Sequence, residues 1–215
     1  MVEHIYHAVF KHEDPFAYYY PKATHSVVHH AQQITNPNSI LALWGGEDIS
    51  PALYQRAAIR ETGAGATLSK RDQTEVRLSL EAIDKNIPIF GVCRGAQLGC
   101  AMAGGILVQH TTGHTGGAHM LTFRDDFRAP MSTLHHQMMF PWNIDHELFA
   151  WTGRRSSVYL GVTPEEEAKI TVEPEVVNFP KIKLFAVQGH PEYMDPNSPA
   201  VRKIMGIFNE IYKIK

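Results

Sequence analysis

The sequence predicts an α/β fold, a three-layer sandwich on a mostly parallel central sheet with a β-richer second half. Three observations predict it. Short apolar runs at Ser39–Trp44, Ile87–Val92 and Leu184–Val187 read as strands buried on both faces, as strands of a parallel sheet are. Helical patterns follow the first two runs after short connections. After Gly104 helical pattern is sparse until the end, and strand-like runs replace it.

In chain order, Ile5 to Phe10 reads as a first strand, and His12 to Lys22 as an aromatic, charged loop. Thr24 to Ile34 is expected to be a helix, since Val27, Val28 and Ala31 recur at helical spacing. Ser39 to Trp44 ends in the flexible turn Gly45-Gly46, and Pro51 suits the first turn of a short helix. Ser69 is a plausible cap for a helix with Asp72 and Glu75 in its first turns and Val76, Leu80 and Ile83 as its apolar stripe. Asn86 and Pro88 end it. The strand Ile87 to Val92 leads into a helix from about Gly95 to Ala103. Strands are then expected at Ile106–Val108, Met120–Phe123, Ser157–Leu160, Val176–Phe179 and Leu184–Val187. Pro199 to Lys215 closes the chain as an amphipathic helix with Val201, Ile204, Met205, Phe208 and Ile211 on one side. At 215 residues, with no internal repeat and no low-complexity linker, residues 1–215 are expected to form one domain.

The chemistry concentrates in Gly91-Val92-Cys93-Arg94-Gly95-Ala96-Gln97, a cysteine between two glycines at a strand-to-helix junction. A nucleophile elbow is built this way: the chain turns sharply and holds the reactive side chain at the tip. The following helix aims its free N–H groups and positive dipole end at the sulfur, which favours thiolate. Alone, such a cysteine is equally well a small apolar filler. The run Gln188-Gly189-His190-Pro191-Glu192 adds what a thiol needs, a base and a carboxylate to orient it. Residues two apart on an extended segment share a side, so Glu192 can reach the second ring nitrogen of His190.

Composition narrows the class. A formal charge of −2, with no basic run, gives no sign of nucleic-acid or anionic-membrane binding. Two cysteines make no disulfide framework, and a free reactive thiol needs a reducing compartment, so the chain is expected to be cytoplasmic. Met1-Val2-Glu3-His4 carries no secretory signal, and no apolar window approaches the roughly 20 residues of a membrane span.

With these residues in view, the chain resembles the class I glutamine amidotransferases, in their γ-glutamyl hydrolase branch, peptidase family C26. The matching motifs are Trp44-Gly45-Gly46-Glu47-Asp48-Ile49-Ser50-Pro51, Arg71-Asp72 with Glu75, the elbow, Gly104-Gly105, Ser132-Thr133-Leu134-His135-His136-Gln137 and the Gly-His-Pro-Glu box, in family order. The resemblance implies a flavodoxin-like sandwich. It implies Cys93 as nucleophile, His190 as base and Glu192 as its orienter, acting on a γ-glutamyl amide through a thioester. It implies backbone N–H groups of Gly46 and Arg94 as the oxyanion hole. Gln97 matches a residue that helps hold the glutamyl head group, and His136 and Gln137 match a segment that contacts the glutamyl end. No cofactor is implied; the partners are a small γ-glutamyl substrate and, in a second reading, a separate synthase subunit that receives ammonia.

The chain also departs from the pattern. Its first strand lacks the usual Pro- and Gly-rich opening, the segment before Gly45 is short, Trp44 stands where the branch often has proline, and Gly189 replaces a common tryptophan. The three catalytic positions are untouched.

Other features have plainer readings. Cys100, two helical turns after Cys93, is expected to pack a helix. His110, His114 and His119, near Asp125 and Asp126, lie in a Gly/Thr-rich stretch at spacings that share no helix face, so they are read as surface or substrate-side histidines and no metal is expected. One of His135 and His136 should face the pocket. Arg94 is expected to make a structural salt bridge. Tyr18-Tyr19-Tyr20 is read as packing or rim, since only Lys22 stands near to track phosphates. The functional alternatives are a γ-glutamyl amide hydrolase, a glutaminase subunit, a catalytically silent binding relative, and a peptidase acting on ordinary peptides.

Overall fold

In a computed structural model, which describes residues 1–12 and 15–214, a nine-stranded sheet runs through the chain. Its elements are β1 (His4–Ala8), α1 (Phe16–Tyr19), β2 (Thr24–Val28), β3 (Ser39–Leu43), α2 (Lys70–Asp84), β4 (Ile89–Val92), α3 (Arg94–Met102), β5 (Ile106–Val108), β6 (His110–Thr111), β7 (Ala118–Phe123), β8 (Arg128–Ser132), β9 (Met138–Phe140), β10 (Glu147–Gly153), β11 (Tyr159–Leu160), α4 (Pro164–Glu167), β12 (Val172–Phe179), β13 (Leu184–Val187) and α5 (Pro199–Ile211). The strand order is β2-β1-β3-β4-β13-β12-β10-β7-β8. From β2 to β13 every neighbour is parallel. From β13 to β8 every neighbour is antiparallel. The β-richer second half therefore extends the same sheet. Two small pairs, β5 with β9 and β6 with β11, stand apart from it.

The inner parallel strands β3, β4 and β13 are almost continuously apolar because both of their faces are covered. Ile40, Ala42, Phe90, Val92, Phe185 and Val187 face a core shared with Val201, Ile204, Met205 and Phe208 of α5. Leu41, Leu43, Ile89, Leu184 and Ala186 face α2 and α3, against Leu78, Ala82, Ala96 and Leu98. These are the three expected layers. Among the described residues no helix is long and apolar enough to cross a membrane.

Several expectations need correction. Thr24–Ile34 is not a helix: it is edge strand β2 followed by a 3₁₀ turn at Ala31–Gln33. The β-branched residues Thr24, Val27 and Val28 suit an edge strand, in which only Val28 is buried. The expected loop at His12–Lys22 contains the single turn α1, which buries Phe16; Glu13 and Asp14 of that stretch lie outside the described residues. Strands β8, β9 and β10 have no counterpart in the sequence expectation. On α2 the Ser69 cap holds, with Ser69 Oγ accepting from Asp72 N–H at 3.0 Å. Of the expected apolar stripe, Val76 and Ile83 pack against the core but Leu80 is 55% exposed, and the buried residues of the helix are Asp72, Glu75, Leu78, Ser79 and Ala82. Two carboxylates occupy the core-facing side because a buried guanidinium awaits them.

Candidate active site

Three loops meet at the carboxyl ends of adjacent strands β3, β4 and β13, where ligands of open α/β sheets bind. They carry Gly45-Gly46, Cys93 and His190. Cys93 sits between β4 and α3 with φ 50° and ψ −105°, a strained conformation for a side-chain-bearing residue. Its N–H donates to Val187 O at 2.8 Å, and its carbonyl accepts from Gln97 N–H at 3.0 Å. The flanking glycines permit the turn. A Cβ on Gly91 would lie 2.6 Å from the Gly95 carbonyl oxygen, and one on Gly95 would strike the Leu43 carbonyl.

His190 Nδ1 meets Glu192 Oε1 at 2.8 Å. Its Nε2 lies 3.4 Å from the Leu134 carbonyl, which also lies 3.9 Å from Cys93 Sγ. Tyr193 stacks on the imidazole at 5.0 Å and leaves most of its own surface exposed. Burial works against a charge on His190, but hydrogen bonds and negative charge from Cys93 and Glu192 outweigh it, and its pKa rises to about 10. The imidazole is therefore set up to hold a proton beside sulfur. Cys93 is 6% exposed, so its side chain is largely shielded from solvent.

The Gly45-Gly46 turn is fastened from behind. Arg71 Nη2 donates to Trp44 O at 3.0 Å and Gly45 O at 2.9 Å, its Nη1 to Glu47 at 2.9 Å and its Nε to Glu75 at 2.9 Å. In a trans peptide the C=O and the next N–H point in opposite directions. With the Gly45 carbonyl turned to Arg71, the Gly46 N–H points away from that guanidinium, in a turn where Gly45 borders His190 and Cys93. Gly46 has φ +143°, and a Cβ there would collide with the Arg71 guanidinium. Arg94 is the first residue of α3, so its N–H has no acceptor within the helix. Its side chain is buried, pairs with Asp72 at 2.6 Å and makes a second, shorter contact with Glu75. This is the expected structural salt bridge, shared through Glu75 with Arg71.

The remaining candidates are placed differently. Gln97 Nε2 donates to Gln137 O at 3.0 Å, so it ties α3 to the segment before β9. The Gln137 side chain is buried, with both amide atoms lacking a hydrogen-bond partner. His136 Nε2 meets Asp48 Oδ1 at 3.0 Å, two residues beyond Gly46, and its Nδ1 lies 3.4 Å from His110 Nδ1. His135 turns the other way and is buried; burial, then neighbouring His114, hold its pKa well below the ordinary value. His114 and His119 are buried beside it, which corrects the surface or substrate-side reading. Asp125 instead pairs with Lys203 on the surface. Cys100 packs in the core as expected, with burial pushing its thiol up to about 12. Trp44 is fully buried and donates its indole N–H to His7 Nδ1 at 3.2 Å. Tyr20 is packed with its hydroxyl on Asn209, as the packing reading requires.

Sequence reasoning missed the Leu134 carbonyl, a backbone atom with no side-chain signature. It also missed Glu173 and Glu175, which alternate with apolar residues in β12 two positions apart on one face. Two carboxylates on one face of a buried strand were the available signal.

Comparison with known proteins places the chain in a family and agrees with its fold. The family model for peptidase C26 matches residues 20–152. The protein NtpR of Enterococcus hirae is 32% identical over 164 residues, covering 71% of this chain and 66% of NtpR, just under two thirds of that protein's length. Among solved structures, a glutamine amidotransferase from Thermotoga maritima superposes with a TM-score of 0.57 at 15% identity, covering 99% of this chain and 83% of the other. The glutaminase domain of the CTPS of Trypanosoma brucei, with bound acivicin, gives 0.53 at 13% identity, covering 97% and 94%.

Proposed function

Because this chain belongs to the peptidase C26 family, whose structural neighbours are class I glutamine amidotransferases, we propose that it hydrolyses a γ-glutamyl amide bond, in glutamine or a γ-glutamyl amine, through a thioester on Cys93. The observation that carries the reading is the convergence of Cys93, on its positive-φ elbow, with His190 and Glu192 and with the Gly45-Gly46 turn.

In this mechanism His190 Nε2 takes the thiol proton and Glu192 stabilises the imidazolium. The sulfur attacks the γ-carbonyl carbon, and the carbonyl π pair moves to oxygen. That oxyanion is received by the N–H groups of Gly46 and Arg94, a donor of this kind being worth about 3 kcal/mol. The intermediate collapses, the C–N bond breaks, and His190 returns its proton to the departing nitrogen. Water then attacks the thioester with His190 as base, releasing glutamate and the thiol. Gln97 and Gln137 shape the glutamyl end through the Gln137 backbone, and His136 lines the Asp48 side.

The test is labelling and substitution together. An electrophilic glutamine analogue should add once, at Cys93, and Cys93→Ala should abolish both labelling and release of glutamate from glutamine and γ-glutamyl amines. Full amidase activity in Cys93→Ala would end this reading. A second reading, a glutaminase that passes ammonia to a separate synthase, is favoured by the likeness to a CTPS glutaminase domain. Its mark is activity that rises only when a partner protein is added. Robust activity alone on N-substituted γ-glutamyl compounds favours the hydrolase.

A further inference from the structure

Behind His190 lies a second polar cluster that the proposed reaction does not use. His114 follows β6, His119 is in β7, His135 precedes β9 and Glu175 is in β12; all four side chains are at most 1% exposed. Glu175 Oε1 lies 2.8 Å from His119 Nε2, 3.9 Å from His114 Nδ1 and 4.0 Å from His135 Nε2. None of these four atoms has a hydrogen-bond partner. Even the 2.8 Å pair is misaligned for a hydrogen bond, as expected if both atoms point at a common centre.

The outer sides of the rings fix what faces inward. His114 Nε2 lies 2.8 Å from Glu173 Oε2, and that carboxylate accepts from the N–H groups of Arg155 and Ser156 and from the Tyr159 hydroxyl. Glu173 is an acceptor, so His114 carries its proton on Nε2 and turns the Nδ1 lone pair inward. His135 Nδ1 lies 2.9 Å from the Gln137 carbonyl, so it too must donate and leave Nε2 as a lone pair. With Glu175, at least three acceptors converge. One water molecule could satisfy them only if His119 gave an Nε2 proton to Glu175, and that 2.8 Å pair is misaligned; a cation needs no such donor.

We propose that His114, His119 and Glu175, whose donor atoms lie within 4.8 Å of one another, bind a divalent transition-metal ion of the zinc type, with His135 Nε2, 4.0 Å from Glu175, drawn in as the fourth donor. Three imidazole nitrogens and one carboxylate oxygen form a donor set that suits zinc. Tetrahedral bonds of about 2.0–2.1 Å place ligand atoms about 3.3 Å apart, and the three separations from Glu175 bracket that value. The outer carboxylate and carbonyl on His114 and His135 are the supports that metal-bound imidazoles receive. Four protein ligands and near-zero exposure leave no open position, so the ion is structural. It would join the β6–β7 and β8–β9 connections to β7 and β12. The β8–β9 connection carries Leu134, whose carbonyl borders Cys93 and His190, so the ion would hold that edge of the candidate active site. The site does not depend on which amide is cleaved.

The full chain, expressed with zinc and desalted, should retain about one zinc per chain by plasma mass spectrometry. His119→Gln and Glu175→Gln should each lower this at least tenfold, whereas His110→Ala, outside the cluster, should keep it. If the cluster variants fail to fold, the wild-type chain decides alone. Grown in zinc-depleted medium with cobalt, it should show the strong visible absorption of tetrahedral cobalt. A wild-type chain with neither stoichiometric zinc nor that absorption overturns the proposal. So does metal lost with His110→Ala and kept with His119→Gln.

Discussion

Arg71 holds the Gly45 carbonyl at 2.9 Å and so fixes the direction of the Gly46 N–H in the turn that borders Cys93. Arg71→Lys keeps the charge but loses the fork that also engages Trp44 O, Glu47 and Glu75. If Gly46 is an oxyanion donor, kcat should fall about 10- to 100-fold with KM little changed, since one preorganised donor is worth up to about 10²–10³. Alkylation of Cys93 by a haloacetamide forms no oxyanion and should proceed at the wild-type rate. Equal losses in both assays would mean that Arg71 only supports the fold.

Arg94 makes the opposite prediction, on stability. It is fully buried, and its partners Asp72 and Glu75 are 1% and 0% exposed. Arg94→Met preserves the Arg94 backbone N–H but strands two buried carboxylates beside one remaining cation, Arg71. Breaking a buried pair in this way costs about 3–5 kcal/mol. Urea unfolding should show a midpoint lowered accordingly, and a triple variant that also neutralises Asp72 and Glu75 to Asn and Gln should recover part of the loss.

The two pairs explain what could be read from the sequence. Cys93, His190 and Glu192 were legible because an elbow and a strand-end box are local patterns, and the inner parallel strands β3, β4 and β13 were legible because burial on both faces leaves continuous apolar runs. The buried face of α2 was not. Periodicity assigns faces by hydrophobicity, and here Asp72 and Glu75 are turned inward by a guanidinium 19 to 22 residues away, while Leu80 is turned out. The histidine cluster was illegible for the same reason: its members lie on separate connections and strands that only the antiparallel half of the sheet brings together. Strand β2 was lost because Val27, Val28 and Ala31 fit helical spacing by coincidence, and only pairing with β1 decides between them.

The two cysteines should react differently. Cys100 is fully buried, burial pushes its pKa up to about 12, and its thiol contacts the Ile106 carbonyl at 3.5 Å. Iodoacetamide at pH 7.5 should therefore modify the native chain once, at Cys93, and twice after denaturation. Native Cys93→Ala should take up no label within the time that saturates the wild type; modification of Cys100 in the native chain would show that α3 opens on that timescale.

The pH dependence follows from His190. Its pKa is raised to about 10, against burial, by Cys93 and Glu192. A raised folded pKa means that the charged ring stabilises the folded chain fully below the ordinary value of 6.5, and that this contribution is lost as pH rises through about 10. The proton that the proposed mechanism gives to the departing nitrogen is lost over the same range. The rate at low glutamine, kcat/KM, which reports the free enzyme, should accordingly hold through pH 8 and fall towards pH 10. Glu192→Gln keeps a hydrogen-bonding oxygen beside Nδ1 but removes the negative charge, so the pKa must drop and the alkaline limb should move at least one unit towards neutral. Stability and activity should shift together, because one proton serves both. An alkaline limb that stays in place in Glu192→Gln would mean that Glu192 only orients the ring and that the Cys93 sulfur alone holds the proton.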